Sequence, residues 1–116
     1  TSGKVSQLAA FQTFTGRYLG TSKGLTDVSG SGTVALTVDF TNHTVGFASD
    51  AANGDLTYGD SNYFSGSISN LNNTLIGTAK GYFYGPNAEE AGGVFTLYDS
   101  VNPKDKNLMA GFGASR

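Results

Sequence analysis

The side chains able to do chemistry are few and badly spaced for it. The single histidine, His43, lies in Asn42-His43-Thr44, with no serine and aspartate placed around it as nucleophile and orienting group. Glu89 and Glu90 are the one adjacent carboxylate pair, and sequence neighbours usually point apart, so no general acid and base are read from them. Asp50, Asn53, Asp55 and Asp60 form an acidic loop cluster. A calcium site needs several converging oxygens, and this run lacks both the spacing of an EF-hand and its closing bidentate glutamate. Gly30-Ser31-Gly32 is followed by no helix start, so it is a turn leading into a strand rather than a phosphate cradle. Without cysteine there is no disulfide, thiolate metal site or cysteine nucleophile. The chain is expected to be no enzyme and to carry neither cofactor nor metal.

Recognition is better served than reaction. Tyr58, Tyr63, Tyr82 and Tyr84 offer broad, stiff contact area with a polar tip, which suits a protein partner. Tyr58 and Tyr63 bracket a short polar segment. If that segment is a loop at the rim of the fold, these two are the candidate partner-binding residues, against the alternative that they cover strand ends.

The elements that would position them are strands. Of 116 residues, 17 are glycine and only 14% are charged, a composition that favours short strands and tight turns over helices. Gly32 to Phe40 alternates, with Val34, Leu36, Val38 and Phe40 on one face and Thr33, Ala35, Thr37 and Asp39 on the other. Val45 to Ser49 returns after a turn at 41–44, and residues 50–54 turn again. Tyr63 to Leu71 carries Phe64, Gly66 and Ile68 on one face. Asn72-Asn73 then makes a hairpin, because asparagine tolerates a left-handed backbone. Thr74 to Tyr84 presents Leu75, Gly77, Ala79, Gly81 and Phe83 on one side. Gly93 to Asp99 and Leu108 to Ala114 follow, with Arg17 to Thr21 and Leu56 to Tyr58 as further strands.

About eight closely spaced strands predict a soluble, antiparallel up-and-down β-barrel, preferred over a two-sheet sandwich. Residues 1–14 read as a lead-in with an extended stretch near Ala10 to Phe14, and 15–116 as a single barrel domain. The small inward residues of Thr74 to Tyr84 suit a crowded wall, so a filled interior is expected.

The formal charge of −2 and seven scattered basic residues leave no stripe to track phosphates, so no nucleic-acid partner is expected. No apolar run is long enough for a transmembrane helix. A lipid-facing barrel would need large aliphatic groups outside, where Thr, Ser and Lys are expected here. No signal peptide is seen, which fits a cytosolic chain or a mature or trimmed one; a lipid-modified cysteine would lie upstream of Thr1.

The most telling segment is Gly81-Tyr82-Phe83-Tyr84-Gly85-Pro86-Asn87-Ala88-Glu89-Glu90-Ala91-Gly92-Gly93. Pro86 belongs at a turn. Asn87 is placed to cap a short helical turn, with Glu89 and Glu90 near its positive end. Gly92 and Gly93 allow a reversal through positive φ or a close backbone approach. The segment resembles the aromatic-Tyr-Gly-Pro-Asn-Ala-Glu-Glu-x-Gly-Gly motif of the barrels of bacterial transferrin-binding protein B and its relatives. Ala110-Gly111-Phe112-Gly113-Ala114 is similar to their last strand. Gly32 to Gly46 and Phe64 to Ile68 fit their rhythm, so the resemblance covers about residues 30–116.

That resemblance implies a surface lipoprotein or secreted protein of a Gram-negative bacterium. It implies a monomeric module in capture of a host iron-carrying protein, of transferrin or haemoglobin type, at the outer-membrane surface or after release. Larger members pair each barrel with a handle domain, which this chain does not show. Two alternatives follow from the same resemblance. One is a haem or small-ligand carrier, with His43 as axial haem ligand and Tyr58, Tyr63, Tyr82 or Met109 on the second side. The other is a structural or export barrel with no ligand of its own.

Overall fold

A computed structural model of the chain describes residues 11–25, 29–70, 73–85 and 88–116. Eight strands follow in order: β1 (Phe11–Lys23), β2 (Ser31–Asp39), β3 (Thr44–Ser49), β4 (Asn53–Tyr58), β5 (Tyr63–Ser69), β6 (Leu75–Tyr84), β7 (Glu90–Asp99) and β8 (Asn107–Ser115). Each pairs antiparallel with its neighbours, and β1 pairs with β8, so the sheet closes into an up-and-down barrel. Closure leaves no unpaired sheet edge. Among the described residues no helix is long and apolar enough to cross a membrane.

Side chains alternate across the wall. Phe14, Tyr18, Leu36, Phe47, Leu56, Phe64, Phe95 and Leu108 are fully or almost fully buried and fill the interior. Outward positions around the barrel carry Thr15, Arg17, Thr37, Ser67, Thr78 and Lys80, with Leu19, Val94 and Met109 as exposed apolar exceptions. Apolar-in and polar-out is the inverse of what a lipid-facing barrel requires. The expected filled interior is therefore present, and it is aromatic: Phe95 packs on Tyr18 at 5.1 Å and on Phe47 at 5.5 Å between ring centroids.

So many rings fit because small residues stand beside them. Leu56 faces Gly66, and Phe64 faces Gly81 across the neighbouring strand. A Cβ at Gly81 would lie 2.9 Å from Phe64 Cζ, closer than van der Waals contact allows. Large and small residues thus alternate around the interior.

The strand bounds depart from the sequence reading where inward glycines interrupt the apolar period. β1 runs from Phe11 to Lys23 rather than over Arg17 to Thr21, so Phe11 to Phe14 is barrel wall, while residues 1–10 of the expected lead-in lie outside the described residues. β4 begins at Asn53 and β7 at Glu90. Glu90 is thus a strand residue, and no helical turn forms among the described residues of the Gly85 to Glu90 connection. Gly85 and Ala88 take positive φ of 91° and 52°, and the Ala88 N–H donates to the Gly85 carbonyl at 3.1 Å. Gly92 and Gly93 lie inside β7 without positive φ, so close approach is the part of their expected role that the fold uses. Pro86, Asn87 and Asn72 lie outside the described residues, while Asn73 has the left-handed backbone expected of it, at φ 58°.

Candidate partner-binding surface

The two singled-out tyrosines do flank the β4–β5 connection, but the strand period sends them to opposite faces. Leu56 points inward, and so does Tyr58 two residues later; Phe64 points inward, which turns Tyr63 out. Tyr58 is partly buried where it closes the barrel end, edge-on to Phe83 at 5.3 Å and to Phe40 at 6.5 Å. Burial, then the nearby Asp39 carboxylate, push its phenol pKa up.

His43 joins Tyr58 there. The exposed imidazole lies flat on the tyrosine ring, with centroids 4.6 Å apart and planes 10° from parallel. The Tyr58 N–H also donates to the His43 carbonyl at 3.1 Å. His43 adopts φ 57°, held by a turn that Asp39 organises. The Asp39 carboxylate accepts from the Thr41 N–H at 2.9 Å, the Asn42 N–H at 3.2 Å and the Asn42 side-chain amide at 2.7 Å. Those bonds, the Asn42 side chain first, hold its carboxyl pKa below the ordinary value. Beside His43, the rings of Phe40, Tyr58 and Phe83 pack on one another.

The acidic loop cluster has local employment. Asp50 accepts from the Thr33 N–H at 2.9 Å and from its hydroxyl at 3.2 Å, tying the β3–β4 turn to β2. Asp55 stands in β4. Among the described residues no three His, Cys, Asp or Glu side chains gather as a metal site.

On the outer wall, Tyr63 stands directly beside Tyr82, their ring centroids 5.1 Å apart. Tyr84 and Val94 extend the patch; Tyr82, Tyr84 and Val94 are each close to half exposed. Between them the floor is made by Gly92 and Gly93, and together they line an open groove of about 540 Å³. Here aromatic and aliphatic side chains stand exposed together on a wall that elsewhere carries Thr, Ser and Lys, the kind of contiguous apolar patch that suits contact with a partner. The parity of β6 is the signal that places Tyr82 and Tyr84 there, because Phe83 between them must face inward. The same parity places Lys80 outside, whereas Val94, which completes the patch, carries no such mark in the sequence.

Comparison with known proteins agrees with the barrel fold. The family described as the C-lobe and N-lobe β-barrels of Tf-binding protein B matches residues 5–116. The chain belongs to this family. The hairpin bearing Tyr82 and Tyr84 is the segment whose sequence resembles that family's motif. Among solved structures, the isotype 1 transferrin binding protein B from serogroup B Neisseria meningitidis matches with a TM-score of 0.66 and 23% identity. The match covers 92% of this chain and 26% of that one, so the chain spans about a quarter of its relative. At this identity the likeness is one of fold. No curated protein matches the chain.

Proposed function

We propose that this barrel is a non-catalytic binding module of a bacterial surface-exposed or secreted protein, and that it takes part in capturing a host iron-carrying protein, transferrin before haemoglobin. Membership of the Tf-binding protein B barrel family is the observation that carries this reading. The outer-wall tyrosines supply a physical means, since large rings with exposed hydroxyls make contact area at low conformational cost. Tyr63 is assigned to the partner contact on the wall. Tyr58, with His43, is assigned to a second contact at the barrel end, where the imidazole is the exposed member of the stack. The Gram-negative outer-membrane surface, with a lipid anchor upstream or after release, is the location that fits such a role.

A pull-down from host serum and red-cell lysate, read by mass spectrometry, tests the proposal. One dominant protein, displaced by excess free domain, supports capture. A blank result at micromolar bait would leave a scaffold or export barrel whose partner contacts lie elsewhere.

A further inference from the structure

The outer-wall groove has a chemistry of its own. In register, Tyr63 stands beside Tyr82, Tyr82 beside Gly92, Gly92 beside Gly113, and Gly113 beside Arg17. All of these positions face outward. The Tyr84 ring leans over the floor: a Cβ on Gly92 would lie 3.4 Å from Tyr84 Cε2. At Gly113 a Cβ would meet nothing within 4 Å, so the floor there is bare, open backbone. Away from the rim, Lys80 stands beside Val94. The groove therefore has aromatic walls, a flat floor and the cation Lys80 in its lining, while Arg17 stands outside it, two strands beyond Gly92. Glu90 lies on the rim side, beside Tyr84.

We propose that this groove docks an extended, proline-bearing acidic segment of a partner protein. The inference rests on the host-capture reading, the captured protein supplying the segment. The closed barrel has no free edge, so the segment cannot be held by adding a strand and must be held by side chains. Aromatic walls over a floor without side chains admit the flat pyrrolidine ring. A polyproline helix arrives already extended, which lowers the ordering cost. Lys80 in the groove selects carboxylates on that segment although the chain as a whole is acidic, and Arg17 can meet only a segment long enough to run on past Gly113. A sugar fits less well. Its hydroxyls call for paired amide or carboxylate groups, and the groove's polar side-chain atoms are tyrosine hydroxyls and the Lys80 amine.

The test uses two probes, a Pro-Pro-Glu repeat peptide and a Pro-Pro-Lys repeat peptide, titrated into the isotope-labelled domain and followed by amide NMR shifts. The Glu peptide should give saturable shifts centred on Tyr82, Gly92 and Gly113, with the Lys peptide weaker by about tenfold. Tyr82→Ser, at an exposed site and with a dispersed spectrum confirming its fold, should abolish them. Lys80→Gln should weaken them about two- to fivefold and flatten their salt dependence. Equal binding of both peptides, shifts centred elsewhere, or no shifts at millimolar peptide would overturn the assignment. The serum pull-down separates the two readings. A host protein captured by Tyr82→Ser with undiminished affinity sinks the groove and spares capture. Peptide binding by a domain that recovers no host protein does the reverse.

Discussion

Tyr18 and Gly32 face each other across the β1–β2 pair, and the tyrosine ring occupies the volume a side chain at 32 would need. A Cβ there would lie 2.8 Å from both Cε2 and the hydroxyl of Tyr18, and 2.6 Å from Asp50 Oδ2. Tyr18 is only 2% exposed. Burial, then the Asp50 charge, push its phenol pKa up, so the space left by glycine is filled by a neutral ring. Aromatic against glycine is how this small barrel accommodates its rings.

Gly32→Ala should therefore destabilise the domain by about 1–3 kcal/mol, since the ring must shift or the strands part. Gly46 faces outward, where a Cβ would come no closer than 3.7 Å to its neighbours. Gly46→Ala should be neutral or stabilising by up to about 1 kcal/mol. Urea denaturation of both variants checks the contrast; equal losses would refute the packing argument.

The two glycines of the Gly92-Gly93 pair should respond very differently. Gly93 points inward opposite Gly81, and a Cβ on it would run into the Lys80 carbonyl and the Gly81 Cα. Gly92 points outward, with its nearest would-be neighbour, the Phe112 carbonyl oxygen, at 3.3 Å. Gly93→Ala should cost about 3 kcal/mol or more and Gly92→Ala less than about 1 kcal/mol, measured as denaturant midpoints at constant m.

Phe95 is the hub of the interior, in contact with Tyr18, Phe47 and Phe112. Its truncation to alanine should cost about 3–5 kcal/mol, because the surrounding rings hang from separate strands and collapse only in part. Thermal unfolding followed by circular dichroism would show the loss as a lower Tm.

Two turns share one acid-sensitive design. Asp99 accepts from the Val101 and Asn102 N–H groups, both at 2.8 Å, as Asp39 does from Thr41 and Asn42. Both carboxyl pKa values are lowered, Asp99 chiefly by the Asn102 N–H and Asp39 chiefly by the Asn42 side chain. A folded pKa below the unfolded one gives stability that is complete above the ordinary aspartate range, and is lost as pH falls through the folded value. Unfolding free energy should thus be flat from neutral pH to about pH 5 and fall below about pH 4. In Asp39→Asn/Asp99→Asn the acid limb should be shallower; an unchanged limb would remove these turns from the account.

How much of this was legible in the chain depended on what stood at the inward positions. Val34, Leu36 and Val38 mark β2 by themselves, and Phe64 and Ile68 mark β5. The apolar pattern understates β1 and β4 because Gly16, Gly20 and Gly54 occupy inward positions and carry no apolar signal, although each sits where a neighbouring strand crowds in. The surface was legible by parity. Fixing Phe64 and Phe83 inside puts Tyr63, Tyr82 and Tyr84 outside, while Leu56 sends Tyr58 to the barrel end. What the pattern does not contain is register. That Tyr63 meets Tyr82, and that Arg17 comes beside Gly113 through closure of β1 on β8, follows only from the strand pairing. The stack of His43 on Tyr58 likewise depends on a positive φ that a histidine seldom takes.

The measurement that bears most directly on host-protein capture is titration of purified transferrin, with haemoglobin alongside, onto the immobilised domain, for the wild type and for Tyr63→Ser/Tyr82→Ser. Saturable binding of one of the two proteins, weakened at least about tenfold in the double variant, is the predicted result. Absence of saturable binding to either protein at concentrations approaching millimolar would contradict the account.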